Sequence, residues 1–153
     1  MSVEVGDEAP DFTLRDENGE ELTLSSLRGR HIVLMFYPAA FSRICTSELQ
    51  DVTGAAEKYE AAGAEVVAVS VDSPFTLKAF KRYENLQARL ASDFHPKGAV
   101  AQKYGAYIEE AGIATRATFV IDKDGKIVHK VVNHPGEARN QEEYLEALAS
   151  CPA

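Results

Sequence analysis

The chain of 153 residues has no tryptophan, two methionines and two cysteines. The scarcity of cysteine is the most restrictive of these. Cys45 and Cys151 are too few and too far apart for a disulfide framework, and they lack the paired spacing of a zinc site. His31, His95, His129 and His134 have neither metal-ligand spacing nor neighbouring ligands, so they are expected to be surface or loop histidines. No pattern implies a metal or an organic cofactor. Cations are also in deficit, with 16 Lys and Arg against 24 Asp and Glu and a net charge of −8. That balance argues against nucleic acid and against anionic membrane surfaces as partners. No apolar run approaches the roughly 20 residues of a membrane-spanning helix. The start, Met1-Ser2-Val3-Glu4-Val5-Gly6-Asp7-Glu8, lacks the basic and apolar regions of a signal peptide, so a cytoplasmic location is expected. With no repeat, low-complexity tract or linker, residues 1–153 are expected to form one domain. Its 45% hydrophobic composition suffices for an ordinary core.

Apolar periodicity marks out the elements. Two strand candidates, residues 11–15 and 21–24, flank Asn18-Gly19, a strong hairpin-turn signal. Residues 32–37 and 65–71 are near-continuous apolar runs, the pattern of strands covered on both faces of a sheet. Between them, residues 42–62 have helical periodicity, with Gly63 as the stop. Ser73-Pro74 opens a second helix to about residue 84, with serine as N-cap and proline in the first turn. Residues 98–104 predict a short helix. Residues 118–121 and 127–132 predict a second hairpin, and residues 140–149 a closing amphipathic helix. This order implies an α/β fold: a mixed sheet with helices on both faces, preceded by an N-terminal β-hairpin and compatible with a thioredoxin-like core.

The chemistry concentrates at Pro38-Ala39-Ala40-Phe41-Ser42-Arg43-Ile44-Cys45. Proline ends the strand, a hydroxyl stands three positions before the thiol, and the thiol falls in the first turn of the helix. Free N–H groups and the positive dipole end favour an anion there, and thiolates form in such places. The bland alternative for Cys45 is a small buried hydrophobe, and for Ser42 an N-cap.

In these residues the chain resembles the peroxiredoxins, cysteine-dependent peroxidases on a thioredoxin-like fold. Their motif Pro-x-x-x-(Thr/Ser)-x-x-Cys is matched by Pro38, Ser42 and Cys45, and their arginine before a late strand by Arg116. The opening Gly6-Asp7-Glu8-Ala9-Pro10-Asp11-Phe12-Thr13-Leu14 is similar to their N-terminal signature. Ser92-Asp93-Phe94-His95-Pro96-Lys97-Gly98-Ala99-Val100, Gly112-Ile113-Ala114 and Pro135-Gly136-Glu137 are similar to the one-cysteine alkyl hydroperoxide reductase E type. Ser42 departs from the commoner threonine, Arg43 from a common glycine, and Gln50 occupies the place where a related type often carries a second cysteine.

The resemblance implies attack of a Cys45 thiolate on a hydroperoxide, giving a sulfenic acid. It implies that Arg116 and Ser42 contact thiolate and peroxide, that Pro38 shields the thiol, and that Glu48, one turn after Cys45, orients an arginine. Positioning must carry most of the rate. Lowering a thiol pKa from about 8.5 to about 6 raises the thiolate fraction roughly 30-fold at pH 7. A Brønsted slope of about 0.4–0.5 takes back roughly tenfold.

Cys151, in Ser150-Cys151-Pro152-Ala153, is the candidate resolving thiol. The tail that carries such a cysteine in typical two-cysteine peroxiredoxins is not expected here, so an incidental exposed thiol is the better expectation. An external reductant, a low-molecular-weight thiol or a thioredoxin-like or glutaredoxin-like protein, then closes the cycle. A homodimer packed near the Cys45 loops is implied, with higher oligomers compatible. Phe36, Tyr37, Phe41, Phe80, Phe94 and Phe119 are expected mostly in the core, with a substrate wall or a dimer contact as the alternative for Phe41 and Phe94. Dithiol exchange is unavailable because Ser42 replaces the first cysteine of Cys-x-x-Cys. A cysteine hydrolase needs a histidine base, which nothing local supplies. A redox sensor or holdase-like protein shares the reactive thiol and differs in not turning over.

Overall fold

The computed structural model describes residues 3–151. Its main sheet has seven strands in the order β2-β1-β5-β4-β3-β8-β9. β3 (His31–Phe36), β4 (Ala64–Ser70) and β5 (Arg89–Ser92) run parallel. β1 (Thr13–Asp16) and β2 (Glu21–Thr23) form the predicted N-terminal hairpin, and β1 joins the sheet antiparallel to β5. β8 (Arg116–Ile121) and β9 (Ile127–Asn133) form the second hairpin, with β8 antiparallel to β3. β6 (Tyr107–Ile108) and β7 (Ile113–Ala114) pair separately. The architecture is the expected mixed α/β sheet.

All six residues of β3 are buried because both its faces are covered. On one face Leu34, Phe36, Val67 and Phe119 meet Tyr104, which follows α4 (Ala99–Lys103). On the other, Val33, Met35 and Val120 meet helices α1 (Arg43–Gly54), α3 (Pro74–Glu84) and α5 (Gln141–Ala149) through Leu49, Phe80 and Tyr144. α3 has its expected cap, with Ser73 Oγ accepting from Thr76 N.

Several sequence expectations need correction. The helix over 42–62 is broken at Ala55 into α1 and α2 (Ala56–Ala61). Gly54 weakens the helix there. The Thr53 hydroxyl also donates back to Leu49 O while accepting from Gln87 N, a bond pattern that bends helices. β5 has no counterpart in the sequence reading, because Arg-Leu-Ala-Ser becomes a strand through pairing on both sides. His31 is not a surface or loop residue: it starts β3, is 6% exposed, and its Nδ1 is buried without a partner. His129 lies half-buried in β9, whereas His95 and His134 are exposed as expected. Phe36, Tyr37, Phe80 and Phe119 are core residues as expected, whereas Phe41 and Phe94 are not, standing about half exposed outside it.

Candidate active site

β3 delivers the chain to the site. Tyr37 N still bonds Val69 O, extending the strand pattern by one residue. Pro38 then ends it, since proline has no N–H to donate. Pro38 is buried, and Ser42 follows as the N-terminal cap position of α1 in an extended conformation, its carbonyl accepting Thr46 N at 2.9 Å. The serine side chain caps nothing. Its Oγ is buried and has no hydrogen-bond partner. The hydroxyl is therefore not consumed by the helix.

Cys45 lies in the first turn of α1 and is fully buried. Arg116, the first residue of β8, reaches it across the sheet, with Nη1 3.2 Å from Cys45 Sγ. The same nitrogen donates to Glu48 Oε1 at 2.8 Å, and Nε donates to Pro135 O at 2.6 Å. Cys45 and Glu48 share a helix face three residues apart, so one guanidinium serves both.

A second arginine completes the cluster. Arg139, just before α5, donates from Nη2 to Glu48 Oε1 at 2.7 Å, and from Nε and its backbone N to Oε2 at 3.0 and 2.7 Å. Its Nη1 is fixed by Phe36 O, Ala117 O and the Thr118 hydroxyl at 2.8, 3.1 and 3.0 Å. Nothing local in the sequence marks Arg139; the usable signal was the need of a buried glutamate for more than one donor. Burial opposes ionisation of Glu48, but the Arg139 hydrogen bonds and the charges of Arg139 and Arg116 outweigh it and hold the carboxyl below its ordinary range. Two guanidinium groups and one carboxylate leave one net positive charge in a buried cluster against Cys45 Sγ. A thiolate, or an anion forming beside it, neutralises that charge. With Arg116 and Glu48 alone the charges would cancel.

The site thus brings Cys45, Arg116 and Glu48 into direct contact, with Ser42 and Pro38 on the loop leading in. Cys151 is elsewhere. It follows α5, is half-buried, and its Sγ donates to Ala147 O at 3.3 Å. Burial, then the charge of Asp122, raises its thiol pKa. Asp122 stands at the far end of β8 from Arg116, roughly 20 Å away at about 3.4 Å per residue. A disulfide requires Cα atoms within about 7 Å, and both cysteines are free. Among the described residues, no group of three or more His, Cys, Asp or Glu could hold a metal ion, and no helix is long and apolar enough to cross a membrane.

Known proteins resemble the chain in sequence and fold. Residues 5–130 match the profile of the AhpC/TSA family. Alkyl hydroperoxide reductase E of Mycobacterium tuberculosis is 41% identical over 152 residues, covering 99% of both chains. The chloroplastic 2-cysteine peroxiredoxin of Chattonella marina is 34% identical over 157 residues, covering 97% of this chain and 80% of its own. The crystal structure of the peroxidoxin BcpB from Mycobacterium tuberculosis superposes with a TM-score of 0.87 at 28% identity, covering 97% of this chain and 98% of that one. The fold is that of the peroxiredoxins, thioredoxin-like, and the chain belongs to the AhpC/TSA family as a peroxiredoxin, a thiol-dependent peroxidase.

Proposed function

We propose that Cys45 is the nucleophile of a one-cysteine peroxidase cycle. The Cys45 sulfur attacks the terminal oxygen of hydrogen peroxide or an organic hydroperoxide; an S–O bond forms as the O–O bond breaks. The products are a Cys45 sulfenic acid and water or an alcohol, the thiol proton passing to the leaving oxygen. Arg116 holds the sulfur and stabilises charge on the separating oxygens, and the Ser42 hydroxyl donates to the same point. Pro38 shields the thiol. Glu48 fixes the guanidinium of Arg116.

Reduction is external. One thiol of a low-molecular-weight compound or a redoxin condenses with the sulfenic acid to a mixed disulfide and water, and a second thiol releases Cys45. Cys151 does not resolve the sulfenate. The protein works in the cytoplasm as a single-domain subunit of a homodimer, its contact near the Cys45 loop, where Phe41, Phe75 and Tyr83 are exposed.

The observation that carries this reading is the 3.2 Å approach of Arg116 Nη1 to the buried Cys45 Sγ. Steady-state peroxide consumption with an added thiol tests it. Cys151→Ser is expected to turn over like wild type and Cys45→Ser not at all. Loss of turnover in Cys151→Ser would refute the one-cysteine cycle.

A further inference from the structure

The turn between β3 and α1 contains a residue in an unfavourable backbone state. Phe41 has φ 68°, in the left-handed region that a bulky side chain rarely occupies. Such a residue persists where its surroundings over-determine it. Its ring lies against Phe80 and Tyr83 of α3, with centroids 5.0 and 6.2 Å away. The preceding residue is held by a charge: Ala40 N donates to Asp72 Oδ2 at 2.8 Å.

Asp72 is itself pinned between two strand ends. The Ser70 hydroxyl donates to the same Oδ2 at 2.7 Å, and Asp72 N donates to Ser70 Oγ at 3.3 Å. The Asp72 carbonyl accepts from Ser92 Oγ at 2.6 Å. One carboxylate oxygen therefore ties the end of β4 to the loop that leads to Ser42 and opens α1, while the Asp72 backbone carbonyl is held by the end of β5. Hydrogen bonds to an ionised acceptor are the stronger kind, and a catalytic group displaced by about 1 Å can lose about 100-fold in rate.

We propose that Asp72 is a positioning residue for the thiol reaction: its carboxylate holds Ala40, and with it the left-handed turn at Phe41, so that the Ser42 hydroxyl and Cys45 sulfur face the same point. The assignment rests on Cys45 being the nucleophile. The motif Ser70-Val71-Asp72-Ser73 carries no such meaning in the sequence alone, because its targets lie about 20 to 30 residues away in either direction.

Two readouts on the full chain test this: the second-order rate of Cys45 oxidation by hydrogen peroxide, and hydrogen exchange of the amides in residues 39–42. Asp72→Ala is expected to slow oxidation about tenfold or more and to speed exchange in that loop, leaving exchange across β8 and β9 unchanged. Asp72→Asn, which keeps an acceptor oxygen, is expected to restore both towards wild type. Should Asp72→Ala fail to fold, Ser70→Ala removes the hydroxyl that steers the same oxygen and carries the test with the same readouts. A wild-type rate and wild-type loop exchange in Asp72→Ala would overturn the proposal. So would equal losses in the asparagine and alanine variants, or a rate loss accompanied by faster exchange throughout the sheet. Absence of Cys45 oxidation in the wild type is a separate failure, that of the nucleophile assignment, and the exchange readout distinguishes the two.

Discussion

Cys45 and Cys151 are the same side chain in two settings. Cys45 is sealed from solvent in the first turn of α1, with a guanidinium on its sulfur and a net positive cluster behind it. Cys151 ends α5 half-buried, bonded to a backbone carbonyl, with burial and an aspartate pushing its pKa up. Burial alone does not decide what a thiol does, because it acts on both. The nearby charges differ in sign: two arginines against one carboxylate at Cys45, the carboxylate of Asp122 near Cys151.

That contrast can be broken most severely at Arg116. Arg116→Ala is expected to lower the rate of Cys45 oxidation by about 100-fold to 1,000-fold, the scale for removing one donor to a developing anion. Stopped-flow oxidation measures it, and the reactivity of Cys151 towards an alkylating agent should not change.

Arg139 separates charge from contact, since its side chain touches Glu48 and not the sulfur. Arg139→Met is expected to cost about 3–5 kcal/mol in denaturant unfolding, because Glu48 loses its main partner in a buried place. It should also slow oxidation, since Glu48 then neutralises Arg116. Adding Glu48→Gln restores a net positive charge, so the double variant should oxidise faster than Arg139→Met alone. A double variant slower than the single one would contradict the charge arithmetic.

Ser42→Ala sharpens the comparison at the peroxide side. A serine that caps its helix costs about 1 kcal/mol when removed. Ser42 makes no capping bond, so thermal unfolding should be almost unchanged while oxidation slows, by less than in Arg116→Ala, through loss of a donor to the developing charge.

The smallest expected effect is on acid stability. The folded-state pKa of Glu48 is depressed, so its contribution is fully present above the ordinary glutamate value of about 4.3 and is lost as pH falls through the folded pKa. Wild type should therefore lose stability steeply below that value. Glu48→Gln should show a shallower slope in urea midpoints across the same range.

The sequence already contained much of this design, unevenly. The continuous apolar runs at 32–37 and 65–71 identified β3 and β4, because strands covered on both faces have that composition and the runs are of strand length. Pro38, Ser42 and Cys45 lie within eight residues, so local rules place the thiol at a helix start. Arg116 came from the family resemblance, and its contact with Cys45 spans 71 residues. Arg139 was missed because its partner is 91 residues away, and an isolated arginine looks like surface. β5 was missed because its strand character comes from β4 and β1 on either side. The break at Ala55 followed from Gly54 and a back-bonding Thr53, signals outweighed by the apolar periodicity around them.

The most direct test of the central contrast is intact mass after one equivalent of hydroperoxide, with and without a sulfenate trap, on wild type, Cys45→Ser and Cys151→Ser. The expected result is gain of one oxygen or one trap molecule in wild type and Cys151→Ser, and neither in Cys45→Ser. A Cys45–Cys151 disulfide in wild type would contradict the division of roles between the two thiols, and an unmodified Cys45 would contradict its assignment as the reacting sulfur.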